Sequence, residues 1–287
     1  MLSGAPRVFS VVNSLSKSRR HHALRSFSLA AAFLLVVLPV CAQQNYLGFD
    51  KNLYPGDDLL PALHNTFAYS GYWLNDPPGM ITNPWLGKRA ALRRAGFGFL
   101  ILYNGRIDAQ LKAQDPAALG ESDAQTAAAV AKHEGFPPRA VIFLDQEEGG
   151  RLLPEQAAYL AAWVKQLAAA GYRPGIYCSG IPVGSGKNRI STAEDVTRRF
   201  PSVKLWVAND QCPPAPGCVM RAPMPSQTRI TGALVWQFAQ SPRRSFANAC
   251  KQTYAADNNC YAPDLPRTDR TFLDLDTSQT ADPSAGR

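Results

Sequence analysis

The chain has 287 residues, 46% of them hydrophobic and 18% charged, with 30 basic against 22 acidic side chains and a formal charge of +8. That hydrophobic share excludes a disordered chain. The basic excess belongs mostly to the first 42 residues, and the remainder carries 25 basic against 22 acidic groups, or +3. With no basic run interleaved with aromatics, this argues against a nucleic-acid partner.

Arg19, Arg20 and Arg25 precede an apolar run from Phe27 to Val40, and Val40-Cys41-Ala42 stands before Gln43. A basic stretch, an apolar stretch and small residues in that order predict a secretory signal over residues 1–42, cut after Ala42. The run is shorter than the roughly 20 apolar residues of a membrane-spanning helix, so no span is expected once the leader is gone. The expected location is periplasmic or extracellular. Residues 43–276 are expected to form one domain, followed by a polar, disordered tail over 277–287.

Tyr46 to Asp50 reads as a first strand and Asp57 to His64 as a brief helix. Thr66 to Trp73 is aromatic and β-prone, and Asn75-Asp76-Pro77-Pro78-Gly79 ends it. Trp85 to Arg94 reads as a surface helix stopped by Gly96. Phe97 to Tyr103 is an uninterrupted apolar run and gives a third strand, after which Asn104-Gly105 opens a long loop. Ser122 is placed to cap a helix running to His133. Ala140 to Leu144 gives a fourth strand, running directly into Asp145-Gln146-Glu147-Glu148-Gly149-Gly150. Such a run, bounded by turn residues, suits a strand buried on both faces, as in a parallel sheet.

Pro154 stands at a first helical position, and Ala157, Leu160, Ala161, Val164, Leu167 and Ala168 recur at helical spacing until Gly171. Tyr172 to Cys178 is a fifth strand. Gly184-Ser185-Gly186-Lys187 lacks the earlier glycine of a phosphate loop, so no nucleotide cofactor is expected. Ser191 and Glu194 have capping-box spacing. Val203 to Ala208, Gly232 to Phe238 and Thr271 to Asp276 supply strands six, seven and eight. Eight strands with helical or loop crossovers over this length predict an α/β fold, a single (β/α)8 TIM-like barrel with irregular late crossovers. A doubly wound open sheet is the alternative, but no glycine-rich turn follows strand one.

Cys212 and Cys218 flank one late loop, and Cys250 and Cys260 flank another. In an oxidising compartment they read as two local disulfides, Cys212–Cys218 and Cys250–Cys260, with Cys178 left as a buried thiol. Beyond the leader only His64 and His133 are available as imidazole ligands, and neither sits at ligand spacing, so no metal is expected.

In a barrel the carboxyl ends of the strands face one mouth. Asp50, Asp145, Glu147 and Asp274 are then candidate catalytic carboxylates. Tyr72, Tyr103, Tyr177, Trp206, Trp236 and Gln237 are candidate substrate-binding groups. Aromatic rings suit sugar faces, and clustered carboxylates push their pKa values apart, as glycoside hydrolysis requires. The residues alone leave Asp145 and Glu147 level as the acid.

Gly48-Phe49-Asp50, Asp145-Gln146-Glu147, Gly175-Ile176-Tyr177, Leu205-Trp206-Val207-Ala208, Trp236-Gln237 and Asp274-Leu275-Asp276 occur in an order that resembles family 25 glycoside hydrolases, which are lysozymes. The match is closer still to the bacterial exported glycoside hydrolase-like domains related to them. The resemblance implies a glycosidase acting on peptidoglycan or another envelope polysaccharide. It assigns the acid to Glu147, with Asp145, Asp50 and Asp274 around it. The alternative is a glycan-binding envelope protein without activity, motivated by Lys51, which follows Asp50 where that pattern has serine.

Overall fold

The computed structural model describes residues 44–147, 149–212, 214–245 and 248–287. The expected leader lies outside the described residues. Eight strands close a barrel in chain order: β1 (Tyr46–Asp50), β2 (Tyr69–Trp73), β3 (Gly98–Asn104), β4 (Val141–Gln146), β5 (Arg173–Ser179), β6 (Lys204–Ala208), β7 (Ala233–Ala239) and β8 (Asp274–Ser278). From β1 to β7 neighbouring strands are parallel. Every residue of β2 and β4 is buried, as the unbroken apolar runs require of strands covered on both faces.

Among the described residues six α-helices lie in the connections from β1 to β6: α1 (Leu60–His64), α2 (Arg89–Arg94), α3 (Asp108–Ala113), α4 (Pro116–His133), α5 (Pro154–Ala169) and α6 (Thr192–Arg199). α4 starts six residues earlier than Ser122, because Asp115 accepts from the Ala117 amide at 2.9 Å and Pro116 follows it. The cap on α6 is the expected box. Glu194 Oε2 accepts from the Ser191 amide at 2.8 Å, and Ser191 Oγ accepts from the Glu194 amide at 3.2 Å. α4 and α5 pack at Gly120, where a Cβ would lie 2.4 Å from the Tyr159 carbonyl oxygen.

Glycines also shape the barrel interior. A Cβ on Gly48 would lie 2.1 Å from the Tyr69 ring, and one on Gly175 would lie 2.6 Å from the Phe143 ring. These two positions stay bare so that large rings from the neighbouring strands fill the lumen.

Three expectations are corrected. β8 runs antiparallel to both β1 and β7 and begins three residues later than expected. The cysteines pair between the late loops, as Cys212–Cys250 and Cys218–Cys260, with Cα atoms 5.5 and 5.2 Å apart. The loops after β6 and β7 lie against each other, which puts each cysteine closest to one from the other loop; Cys178 is free and buried, as expected. The residues after β8 are not a disordered tail. Ser284 is fully buried, and its carbonyl accepts from the Val141 amide at 2.8 Å while its Oγ accepts from the Ile101 amide at 2.9 Å. Asp282 accepts from the Phe99 amide at 2.8 Å, so this segment seals the amino-terminal ends of β3 and β4.

Candidate active site

The carboxyl ends of β1 to β7 surround one cleft of about 560 Å³. Asp50 closes β1, Trp73 closes β2, Asp145 stands one residue from the end of β4, and Glu147 follows that strand. Tyr177, Trp206 and Gln237 enter the cleft from β5, β6 and β7. Asp274 enters from the opposite sense. Because β8 is antiparallel, its first residue lies at the mouth, with Asp274 beside Asp50 and Asp276 one layer deeper beside Gly48. All four candidate carboxylates therefore line the same cavity.

A chain of hydrogen bonds ties the mouth together. The Tyr177 hydroxyl donates to Gln237 Oε1 at 2.7 Å, and Gln237 Nε2 donates to Asp50 Oδ2 at 2.9 Å. Trp206 Nε1 donates to Asp276 Oδ1 at 2.9 Å, and its ring centroid lies 4.4 Å from that of Tyr177. Asp276 in turn lies close enough to Asp50 for the two carboxyls to perturb each other.

Burial decides the protonation of this cluster. Asp276 is fully buried, and desolvation followed by the charge of Asp50 holds its carboxyl well above the usual range. Asp50 is raised to about 6 by burial, against the hydrogen bonds from Asp276 and Gln237 that favour its charged form. Of the two carboxyls, Asp276 is therefore the one that burial pushes harder toward its protonated form. Asp145, 7% exposed, is held well above the usual range by burial, then by Glu147 and Asp50. Its Oδ1 is buried with no hydrogen-bond partner among the described residues. Burial and Asp50 also raise Asp274, against the Ser241 amide and Lys51. Glu147, by contrast, is exposed.

Lys51 acts on Asp274 rather than on its neighbour Asp50. Its ammonium donates to the carbonyls of Asp269 and Phe272 and lies 4.4 Å from the centre of the Phe272 ring. Burial lowers it to about 8.

Tyr72, Tyr103 and Trp236 do not reach the cleft. The Tyr72 hydroxyl donates to Glu134, and its ring packs with Trp85, Phe99 and Phe136. Tyr103 donates to Asp123 at 3.4 Å and stacks near Trp163. Trp236 donates to the Asn209 carbonyl at 3.1 Å beside Phe238. Each lies one residue out of phase with an inward neighbour (Trp73, Leu102 and Gln237), and successive strand side chains point to opposite faces. The sequence reading missed Trp73, Leu53, Pro78, Met80 and Phe272, which form the apolar side of the cleft. Asp276, set on one face with Asp274 by the Asp-Leu-Asp spacing, lies one layer below the mouth.

No curated protein matches the chain. Among solved structures, an uncharacterized B. stearothermophilus protein aligns over 80% of this chain and 94% of its own at 19% identity, with a TM-score of 0.51. The Mycobacterium tuberculosis Tat-secreted protein Rv2525c, solved with L-tartrate, aligns over 82% and 95% at 13% identity and the same TM-score of 0.51. These two likenesses show a shared fold. The modular autolysin LytC from Streptococcus pneumoniae aligns over 83% of this chain and 47% of its own at 11% identity, with a TM-score of 0.47. Residues 71–217, half of the chain, match the model of the Rv2525c-like, glycoside hydrolase-like domain, and the chain belongs to that family.

Proposed function

We propose that this chain is an exported glycoside hydrolase whose barrel-mouth cleft cleaves a glycosidic bond of a cell-envelope polysaccharide, peptidoglycan foremost. The observation that carries the reading is the gathering of Asp50, Asp145, Glu147 and Asp274 with the Tyr177 and Trp206 rings in one cavity. Two disulfides support an oxidising compartment, and hence export.

Glu147 is the proton donor. It is exposed at the mouth, within reach of both a bound chain and solvent, and the family resemblance gives it that role. Its proton passes to the glycosidic oxygen as the bond to the anomeric carbon breaks. Water adds to that carbon and gives its proton to Asp50, which is ionised above about pH 6. Exchange with solvent restores both groups. Asp145, whose carboxyl burial holds well above the usual range, stands beside Glu147 in the cleft wall. Tyr177 and Trp206, 5% and 1% exposed, pack on each other in the cleft wall and hold Gln237 and Asp276 in place.

Replacing Glu147 by Gln tests the reading. Release of reducing ends from peptidoglycan should fall by about 100-fold or more. Undiminished release sinks the assignment of Glu147, and wild-type protein that binds the glycan without any release replaces hydrolysis by glycan recognition.

A further inference from the structure

Glu147 also borders a second, far smaller niche of about 10 Å³, walled by Tyr177, Ser179, Asp210, Gln240 and Arg244 among others. A polar niche of that size admits one water molecule and no sugar ring. Asp210, just beyond β6, is 5% exposed, and its Oδ2 is buried with no hydrogen-bond partner among the described residues. A carboxylate oxygen so placed is costly unless something donates to it. No described protein group donates to it, and Asp210 is part of the niche wall.

We propose that this niche binds one water molecule bridging Asp210 and Glu147, and that Asp210 is thereby a positioning residue for proton donation by Glu147. The second half rests on the glycosidase reading above. The water donates one hydrogen to Asp210 Oδ2 and the other to the unprotonated oxygen of Glu147. The protonated oxygen of Glu147 is then turned toward the glycosidic bond. The ionisable groups facing Asp210 are Glu147 beyond β4, Tyr177 on β5, Arg244 after β7, Tyr254 in the second cysteine loop and Asp274 on β8. Arg243 lies 4.8 Å over the Tyr254 ring and adds a further positive charge nearby.

A crystal structure of the wild-type protein at a resolution that shows solvent tests the bridge directly. A water within about 3.2 Å of both carboxyl groups is expected; absence of solvent density between them overturns the proposal whether or not the protein cleaves glycan. Asp210→Asn keeps the shape and removes the charge. Its kcat should drop about tenfold at unchanged KM, a fraction of the 10²–10⁴ that a general acid supplies. Wild-type kcat in Asp210→Asn, beside an inactive Glu147→Gln, removes the role of Asp210 and leaves the glycosidase reading intact. An active Glu147→Gln does the reverse, removing that reading while the water remains to be seen or refuted in the density.

Discussion

Asp50 and Gln237 stand 187 residues apart in the chain and 2.9 Å apart at the barrel mouth. The contact joins β1 to β7 across β8, the strand that lies between them in the closed sheet. Gln237 spends its amide nitrogen on Asp50 and its carbonyl on Tyr177, so one neutral side chain fixes a carboxylate and an aromatic ring together. A carboxylate or an amine at this position supplies only one of the two functions.

Gln237→Leu should therefore leave the Tyr177 hydroxyl and one Asp50 oxygen buried without partners. Each such orphan costs about 1–3 kcal/mol, and the expected loss of stability in urea unfolding is roughly 2–5 kcal/mol. Gln237→Glu keeps the shape but sets a second carboxylate against Asp50, and should raise the Asp50 pKa above about 6. A Gln237→Leu variant as stable as wild type would show that the bridge is dispensable.

The strands were legible because a barrel buries β1 to β7 on both faces and leaves apolar runs that only a strand explains. The same property hid the phase of those runs. With Tyr72 and Trp73 both apolar and both buried, nothing in the sequence says which faces the lumen. Where an acid ended the run, as at Asp50 and Asp145, the inward face was marked. The direction of β8 leaves no trace in composition, so Asp274 was found but placed at the wrong end of its strand. The cysteine partners depend on how two loops meet, which spacing within each loop does not encode. The end of the chain is polar in composition, but its hydrogen bonds run to backbone amides of β3 and β4, which no side-chain pattern reports.

The acid cluster should make the protein more stable at mild acidity than at neutral pH. Asp50 keeps its proton to about pH 6 in the folded chain against an ordinary 3.8. The folded state thus binds more protons than the unfolded one in that window, and stability falls as pH rises through it, by on the order of 3 kcal/mol for this group. Asp145, Asp274 and Asp276 are shifted in the same direction and extend the decline to higher pH. Asp57 and Asp257 are shifted the other way, but both are exposed and screened, and oppose the trend weakly. Urea midpoints at pH 4 and pH 7 check the sign. A higher midpoint at pH 7 contradicts it, and Asp276→Asn should flatten the dependence.

The crossed disulfides give a chemical prediction. Digestion without reduction should yield peptides linking Cys212 to Cys250 and Cys218 to Cys260, and none containing the local pairs. Cys212 and Cys250 are 38 residues apart, so replacing both by Ser should cost about 4 kcal/mol if loop closure dominates. The loss should appear in global unfolding, because this bridge ties the loop after β6 to the loop after β7.

Removing Ala281 to Arg287 tests the seal at the far end of the barrel. The truncation strips the partners from three strand amides: Phe99 loses Asp282, while Ile101 and Val141 lose Ser284. It also uncovers the Phe99 side chain, against which Gly286 packs so closely that a Cβ there would lie 2.9 Å away. Water reaches some of these amides once the segment is gone, so the expected loss is about 3–5 kcal/mol rather than the full sum for buried orphans. The cleft lies at the opposite end of the strands, and glycan affinity per folded molecule should stay within about twofold of the full chain. An unchanged urea midpoint would mean that these residues are not part of the folded core. A large loss of affinity in the folded fraction would mean that the seal also shapes the mouth.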